Sequence, residues 1–157
     1  YDEELVINRQ ATDLLKVIEQ TLRSMKQAYH REFNLIVDPS FETLIYKTDE
    51  QKLKQLLFIF LDNARKYSEE EVDLYITETP NFIKIAITDK GIGIPSEAIP
   101  QVFDRFYRVD EARNRKTGGT GLGLSLAKEI AKGLNINLNI ISVLNVGTTI
   151  TLELEKK

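Results

Sequence analysis

The chain has 157 residues, 42% apolar and 29% charged, which is one domain's worth of core and argues against a chain disordered over most of its length. Lys and Arg number 21 against 24 Asp and Glu, and the net charge of −3 argues against a general nucleic-acid-binding domain. There is no cysteine and a single histidine, His30, so disulfide scaffolds, thiolate metal sites, Cys nucleophiles and multi-His cages are excluded. No signal-peptide pattern follows Tyr1, and the chain reads as a piece of a longer protein. Glu4 to Ile7 reads as a short edge strand. Asn8 or Thr12 is placed to cap the helix that follows. In that helix Leu14, Leu15, Ile18, Leu22, Met25 and Tyr29 recur at three- and four-residue steps and form one apolar face. Phe33, Leu35 and Val37 alternate with Asn34, Ile36 and Asp38, a strand before Pro39. Leu44 to Tyr46 reads as another short strand. Thr48 or Asp49 opens a second helix with Leu53, Leu56, Leu57, Phe60, Leu61 and Ala64 on one side. It contains the longest apolar run, Leu56 to Leu61, far too short to span a bilayer. Glu71 to Thr77 and Phe82 to Thr88 alternate around Pro80-Asn81 and read as a hairpin. From Asp89 to Gly121 the pattern breaks into Gly, Pro and charge, with a short helical segment near Ser96 to Phe103. A loop of this length in a compact domain is functional or disordered. Leu122 to Leu134 is a third helix, with Gly133 expected at its end. Ile136 to Val143 and Thr148 to Leu154 form a second hairpin around Asn145-Val146-Gly147. Mixed strands with three amphipathic helices predict an α+β fold of two layers, the helices on one face of a mostly antiparallel sheet.

Three clusters stand out. The first is Asp62-Asn63-Ala64-Arg65-Lys66-Tyr67, at the end of the second helix. Asn63 and Lys66 share a helical face, and a neutral oxygen beside an ammonium suits a metal-bound phosphate chain. A solvated helix end, with Lys favourable against the dipole, explains the same residues. The second is Asp89-Lys90-Gly91-Ile92-Gly93-Ile94-Pro95, directly after a strand. Its glycines allow a sharp turn and close approach to a flat ligand, and Asp89 can accept from an exocyclic amine. An Asp-initiated turn is the alternative. The third is Gly118-Gly119-Thr120-Gly121-Leu122-Gly123-Leu124, entering the third helix. Glycines ahead of a helix expose backbone N–H groups at its positive end, an anion site. Gly123 in the first turn costs about 1 kcal/mol relative to Ala, so a close approach is being accommodated. No Lys follows the glycines and no strand leads directly into them, so this is neither a P-loop nor a Rossmann fingerprint. Between the second and third clusters lie Phe103 to Arg108, Arg113, Arg115 and Lys116, which read as a phosphate lid or as a solvated charged loop.

Together, in this order and context, the clusters resemble the catalytic ATP-binding domain of sensor histidine kinases, within the GHKL ATPase superfamily with its Bergerat-type fold. The first cluster resembles the N box, Asp89 to Ile94 the first glycine box, Phe103 to Arg108 the F box, and Gly119 to Leu124 the second glycine box. Gly147-Thr148 resembles the last Gly-Thr motif. The likeness covers residues 1–157 and implies ATP and Mg²⁺ as cofactors. It implies that Asn63 binds the metal and that Lys66 and Arg108 contact phosphate, with Arg105 helping. Tyr67 would lie beside the adenosine and Asp89 would hydrogen-bond the adenine amine. Gly91, Gly93 and Ile94 would line the base pocket, and Gly119, Thr120, Gly121, Leu122 and Gly123 would cradle the phosphates. Thr148 would sit near the adenine, through Asp89 or water. The implied activity is transfer of the γ-phosphoryl group to a His on the protein's own dimerisation module, and from there to a cognate response regulator. That module is expected to lie outside this chain. His30 is followed by Arg31-Glu32-Phe33, not by a H-E-x-[RK]-x-P-like acceptor motif. A cytoplasmic domain of a membrane-anchored sensor is implied, with no nucleic-acid partner and no direct membrane contact by this segment. One departure concerns Ile59, where the family carries a second Asn and hydrolytic relatives a general-base Glu. Ile cannot be a base, which argues against a hydrolase. It leaves a degenerate, non-catalytic nucleotide-binding module as the alternative.

Overall fold

The computed structural model describes residues 6–37, 43–102 and 123–156. Strand β1 (Gln10–Asp13) leads into helix α1 (Leu14–Tyr29), then β2 (Phe33–Val37) and β3 (Ile45–Thr48). Helix α2 (Glu50–Lys66) is followed by β4 (Val72–Glu78) and β5 (Phe82–Asp89). A 3-10 turn occupies Ile99–Gln101, and helix α3 (Gly123–Leu134) precedes β6 (Ile136–Val143) and β7 (Gly147–Glu155). The main sheet has five strands in the order β2-β4-β5-β7-β6. Only β2 and β4 run parallel; the other three pairs are antiparallel. β1 and β3 form a separate antiparallel pair.

The alternation expected of half-buried strands is present. In β5 every second side chain from Ile83 to Asp89 is buried, and in β7 Ile150, Leu152 and Leu154 are. These residues face α1, α2 and α3, whose apolar sides supply Leu14, Ile18, Met25, Leu53, Leu57, Phe60 and Ile130 to one core. The predicted two-layer α+β architecture is therefore the observed one. Each fully buried Leu, Ile or Phe stabilises the fold by about 1.5–3 kcal/mol relative to exposure. The opposite sheet face is partly open, with Ile36 and Tyr75 exposed. No helix among the described residues is long and apolar enough to cross a membrane.

Several element ends differ from expectation. The first described strand is Gln10–Asp13; of the stretch expected from Glu4 to Ile7, Glu4 and Leu5 lie outside the described residues, and Val6 and Ile7 are not in a strand. Backbone pairing with β3 decides it, while Val6 is left almost fully exposed. Neither Asn8 nor Thr12 caps α1. Asp13 does, accepting the Lys16 N–H at 3.2 Å. Asn8 instead donates its backbone N–H to Asp49 Oδ2 at 2.9 Å, and the Thr12 hydroxyl donates toward the carbonyls of Gln10 and Thr48. Asp49, one of the two expected caps of α2, is the cap, accepting from Lys52 N–H at 3.1 Å. Gly133 lies inside α3, and Asn135, at φ 60°, takes the left-handed position after the helix. Asn is the side chain that best tolerates this region after Gly. His30 does the same after α1, at φ 52°, with its N–H on the Lys26 carbonyl at 2.9 Å.

Candidate functional site

The C-terminal ends of α2 and β5 meet the β6–β7 hairpin at one edge of the core. Asp89 is the last residue of β5, and the β5–β7 register sets it opposite Thr148. The β6–β7 register sets Thr148 opposite Ser142. Residues directly opposed in antiparallel strands share a face, so Asp89, Thr148 and Ser142 form one row across three strands. The next row inward, Ile87, Ile150 and Ile140, belongs to or packs on the apolar core. The polar row is thus the point where the helix-covered face changes from hydrocarbon to hydrogen-bonding groups.

Asp89 is only 9% exposed. Its Oδ1 accepts the Gly91 N–H at 2.9 Å. Burial pushes its carboxyl up from 3.8 to about 6, against the opposing pull of the Gly91 and Thr148 backbone N–H groups. A carboxylate offers about four lone-pair sites, so acceptor capacity remains after these contacts. That residual capacity in a desolvated carboxylate fits a ligand amine, the group adenine carries.

The loop after Asp89 is held on two sides. Ile92 N–H donates to the Tyr67 carbonyl at 3.1 Å, and a Cβ on Gly91 would overlap that same carbonyl. Gly93 has φ 71°, and a Cβ there would run into the Val143 carbonyl. Glycine is therefore required at 91 by close approach and at 93 by conformation. On the hairpin side Asn145 N–H donates to the Ile92 carbonyl at 2.7 Å, and Ile94 N–H donates to Ser142 Oγ at 2.7 Å. Ser142 also contacts Thr148 Oγ1 at 2.8 Å and the Gly147 carbonyl at 3.1 Å. The sequence marks Asn145 only as part of the hairpin turn and carries no signal at Ser142, which stands in no glycine-rich or charged pattern and is brought to the row by strand register alone.

Asn63 and Lys66 lie at the end of α2, both partly exposed, and Tyr67 is its C-cap, with N–H on the Asn63 carbonyl at 3.2 Å. Lys66 Nζ is 3.3 Å from Asp62 Oδ2, and Arg65 holds Asp62 Oδ1 at 2.7 Å. Arg65 also stacks over the Tyr29 ring at 3.9 Å. A partly exposed pair one helical turn apart is worth about 0.3–0.5 kcal/mol, so Lys66 can leave Asp62 for a phosphate at small cost. Arg31 braces the same corner, donating to the carbonyls of Arg65 and Glu70 and to Ser68 Oγ. Gly123 opens α3, and a Cβ there would meet Ile59 Cγ2 at 3.8 Å, ordinary van der Waals contact, so the close approach expected at Gly123 is not made by any described protein group. Ile59 itself is partly buried and packs on the core. Tyr67, Asp89, Gly91, Gly93, Ile94 and Thr148 thus gather around one corner, Asn63 and Lys66 lie on the last turn of α2 that leads into Tyr67, and Gly123 lies across from Ile59. Arg105, Arg108, Gly119, Thr120, Gly121 and Leu122, and the lid expected around them, lie outside the described residues.

A family model described as "Histidine kinase-, DNA gyrase B-, and HSP90-like ATPase" matches residues 48–157. Sensor histidine kinase YkoH of Bacillus subtilis (strain 168) is 43% identical over 153 residues, covering 98% of this chain and 33% of that protein. Sensor histidine kinase WalK of the same organism is 34% identical over 154 residues, covering 96% of this chain and 25% of that protein. The chain therefore spans a third or less of the length of these curated relatives. Among solved structures, the mycobacterial sensor histidine kinase MprB superposes with a TM-score of 0.79 at 26% identity, covering 94% of this chain and 97% of that one. Full-length ShkA shares the fold, with a TM-score of 0.80 at 22% identity, covering 96% of this chain and 32% of that one. The family match covers more than half of the chain, the relatives extend it over nearly all of it, and solved histidine kinase structures share the fold. The chain belongs to the histidine kinase-, DNA gyrase B- and HSP90-like ATPase family.

Proposed function

We propose that the chain is the catalytic, ATP-binding domain of a sensor histidine kinase. It binds Mg-ATP and passes the γ-phosphoryl group to a His on the protein's own dimerisation module, from which a cognate response regulator takes it. The observation that carries the reading is the buried Asp89 carboxylate at the mouth of a glycine-lined corner. Asp89 would accept from the adenine amine, with Gly91, Gly93 and Ile94 against the base, Tyr67 beside the adenosine and Thr148 at the base edge. Asn63 would hold Mg²⁺, which neutralises phosphate charge when bound. Among the described residues no three His, Cys, Asp or Glu side chains converge on a metal site. One amide oxygen suits a cation that takes most of its six oxygens from phosphate and water. Lys66, released from Asp62, would meet phosphate oxygens. Arg105 and Arg108 are assigned the same task from their sequence motif, and Gly119, Thr120, Gly121, Leu122 and Gly123 the anion cradle at the start of α3. Phosphoryl transfer of this kind asks the domain for positioning and charge neutralisation, not for covalent chemistry. We place the domain in the cytoplasm, within a membrane-anchored sensor.

Calorimetric titration of the chain with Mg-ATP and Mg-GTP tests the base site. ATP is expected to bind and GTP to bind poorly, because guanine presents an oxo group where adenine presents an amine. Equal affinities would remove Asp89 from the role given to it.

A further inference from the structure

Ser142 makes three contacts within hydrogen-bond distance. It accepts the Ile94 N–H at 2.7 Å, donates to the Gly147 carbonyl at 3.1 Å, and lies 2.8 Å from Thr148 Oγ1. A hydroxyl has one hydrogen and two lone pairs. The Ile94 amide can only donate, and the Gly147 carbonyl can only accept. The single hydrogen of Ser142 is therefore used on Gly147, and one lone pair on Ile94. Either hydroxyl could donate in the Thr148 contact taken alone; with the Ser142 hydrogen on Gly147, it is Thr148 that donates, to the remaining lone pair of Ser142.

This assignment has a chemical consequence one residue along the row. With its hydrogen turned toward Ser142, Thr148 Oγ1 offers only lone pairs to whatever lies beside it. Its neighbour across the ladder, Asp89, is acceptor-only as well when ionised. The base edge then faces two acceptors and no side-chain hydroxyl donor from this row. Such an edge favours an amine, directly or through a water, and opposes an oxo group.

We propose that Ser142 is a positioning residue for base selection: it orients the Thr148 hydroxyl as an acceptor toward the ligand and ties the Gly91–Ile94 loop to the β6–β7 hairpin. The proposal rests on the nucleotide reading above and adds to it a residue that does not touch the ligand. Removing the Ser142 hydroxyl frees the hydrogen of Thr148 to turn toward the ligand. An oxo group at the base edge then gains a donor, and an amine loses an oriented acceptor. Loosening of the loop alone would weaken all nucleotides alike, so the ratio of affinities separates the two effects.

The experiment is calorimetric titration of the 157-residue chain with ATP and with inosine triphosphate, whose base carries an oxo group in place of the adenine amine. Wild type, Ser142→Ala, Ser142→Thr and Thr148→Val are compared, with circular dichroism to verify folding. Wild type is expected to prefer ATP. Ser142→Ala is expected to lower that preference by about five- to tenfold, the scale of one neutral hydrogen bond. Ser142→Thr, which keeps the hydroxyl, should retain the preference. Thr148→Val, nearly isosteric without a hydroxyl, should lose it as Ser142→Ala does, and it carries the test if Ser142→Ala does not fold. An unchanged ratio in Ser142→Ala or in Thr148→Val, with ATP still bound, overturns the proposal and leaves the nucleotide reading intact. Failure of the wild type to bind ATP overturns the nucleotide reading and the proposal with it.

Discussion

Asp89 stands at a conflict between stability and binding. Its folded-state carboxyl titrates at about 6, raised from 3.8 chiefly by burial. A carboxyl raised on folding contributes its full stability below the unfolded value, and that contribution is lost as pH rises through the folded one. Two units correspond to about 3 kcal/mol. Asp89→Asn removes the titration, so its stability relative to wild type should increase between about pH 4 and 7, by up to about 3 kcal/mol. Urea unfolding of both proteins across that range measures it, and a constant difference would show that Asp89 is not desolvated. The same substitution should weaken ATP by about 1–3 kcal/mol, the scale of a hydrogen bond to a charged group. In the wild type, ATP affinity should decline toward tenfold per pH unit below about pH 6, because a protonated Asp89 loses part of its acceptor capacity. Ile59 poses the opposite case. The helical spacing puts it one turn before Asn63, but the structure packs it on the core and toward Gly123. Ile59→Asn should therefore cost about 1–2 kcal/mol through lost burial and a poorly solvated amide. The gain in ATP affinity on adding Mg²⁺ should stay within about twofold of wild type. Unchanged melting with a larger Mg²⁺-dependent gain would put the metal beside position 59.

At the scale of elements, α2 links the start of the chain to the site. Its cap, Asp49, is buried and receives backbone N–H groups from Lys52 and, across the fold, from Asn8. Burial pushes its carboxyl up, but the N–H groups of Asn8, Lys52 and Gln51 together outweigh that and hold it below the ordinary range. A carboxyl lowered on folding contributes stability above the unfolded pKa and loses it as pH falls through the folded one. Asp49→Ala should cost about 1–2 kcal/mol at neutral pH, as lost caps do. The difference from wild type should shrink below about pH 4, and thermal melts at pH 7 and in acid measure both. A cost that persists undiminished in acid would assign the loss to packing. Helices and central strands were legible because their apolar positions recur at 3.6 or 2 residues. Ends were less so. Three polar residues, Asn8, Thr12 and Asp13, compete for the start of α1, and only the pairing of β1 with β3 selects Asp13. Gly133 looks like a helix stop, yet Asn135 is the residue that turns, while the Gly133 carbonyl accepts from Arg9 at 2.9 Å.

At the scale of the whole molecule, the five-stranded sheet works as a platform that carries the loop after β5 and the β6–β7 hairpin to one corner, where the end of α2 meets them. The glycine motifs made Asp89, Gly91 and Gly93 visible in the sequence, because close approach and a positive φ demand glycine at fixed spacing. Ser142 was invisible, since a serine in an alternating strand carries no local signal. Its place opposite Thr148 follows from the register of β6 on β7, a long-range property. The central claim is that this corner delivers the γ-phosphoryl group of ATP to a histidine on a partner module. The most direct measurement incubates the chain with γ-labelled Mg-ATP and the dimerisation module of its own protein, then follows label on the module. The account predicts label that is stable to base and labile to acid, as a phosphoramidate is, and lost when Asn63→Ala replaces the wild type. Nucleotide bound at saturation, with no label reaching the module, would contradict it and leave a binding module in place of a kinase.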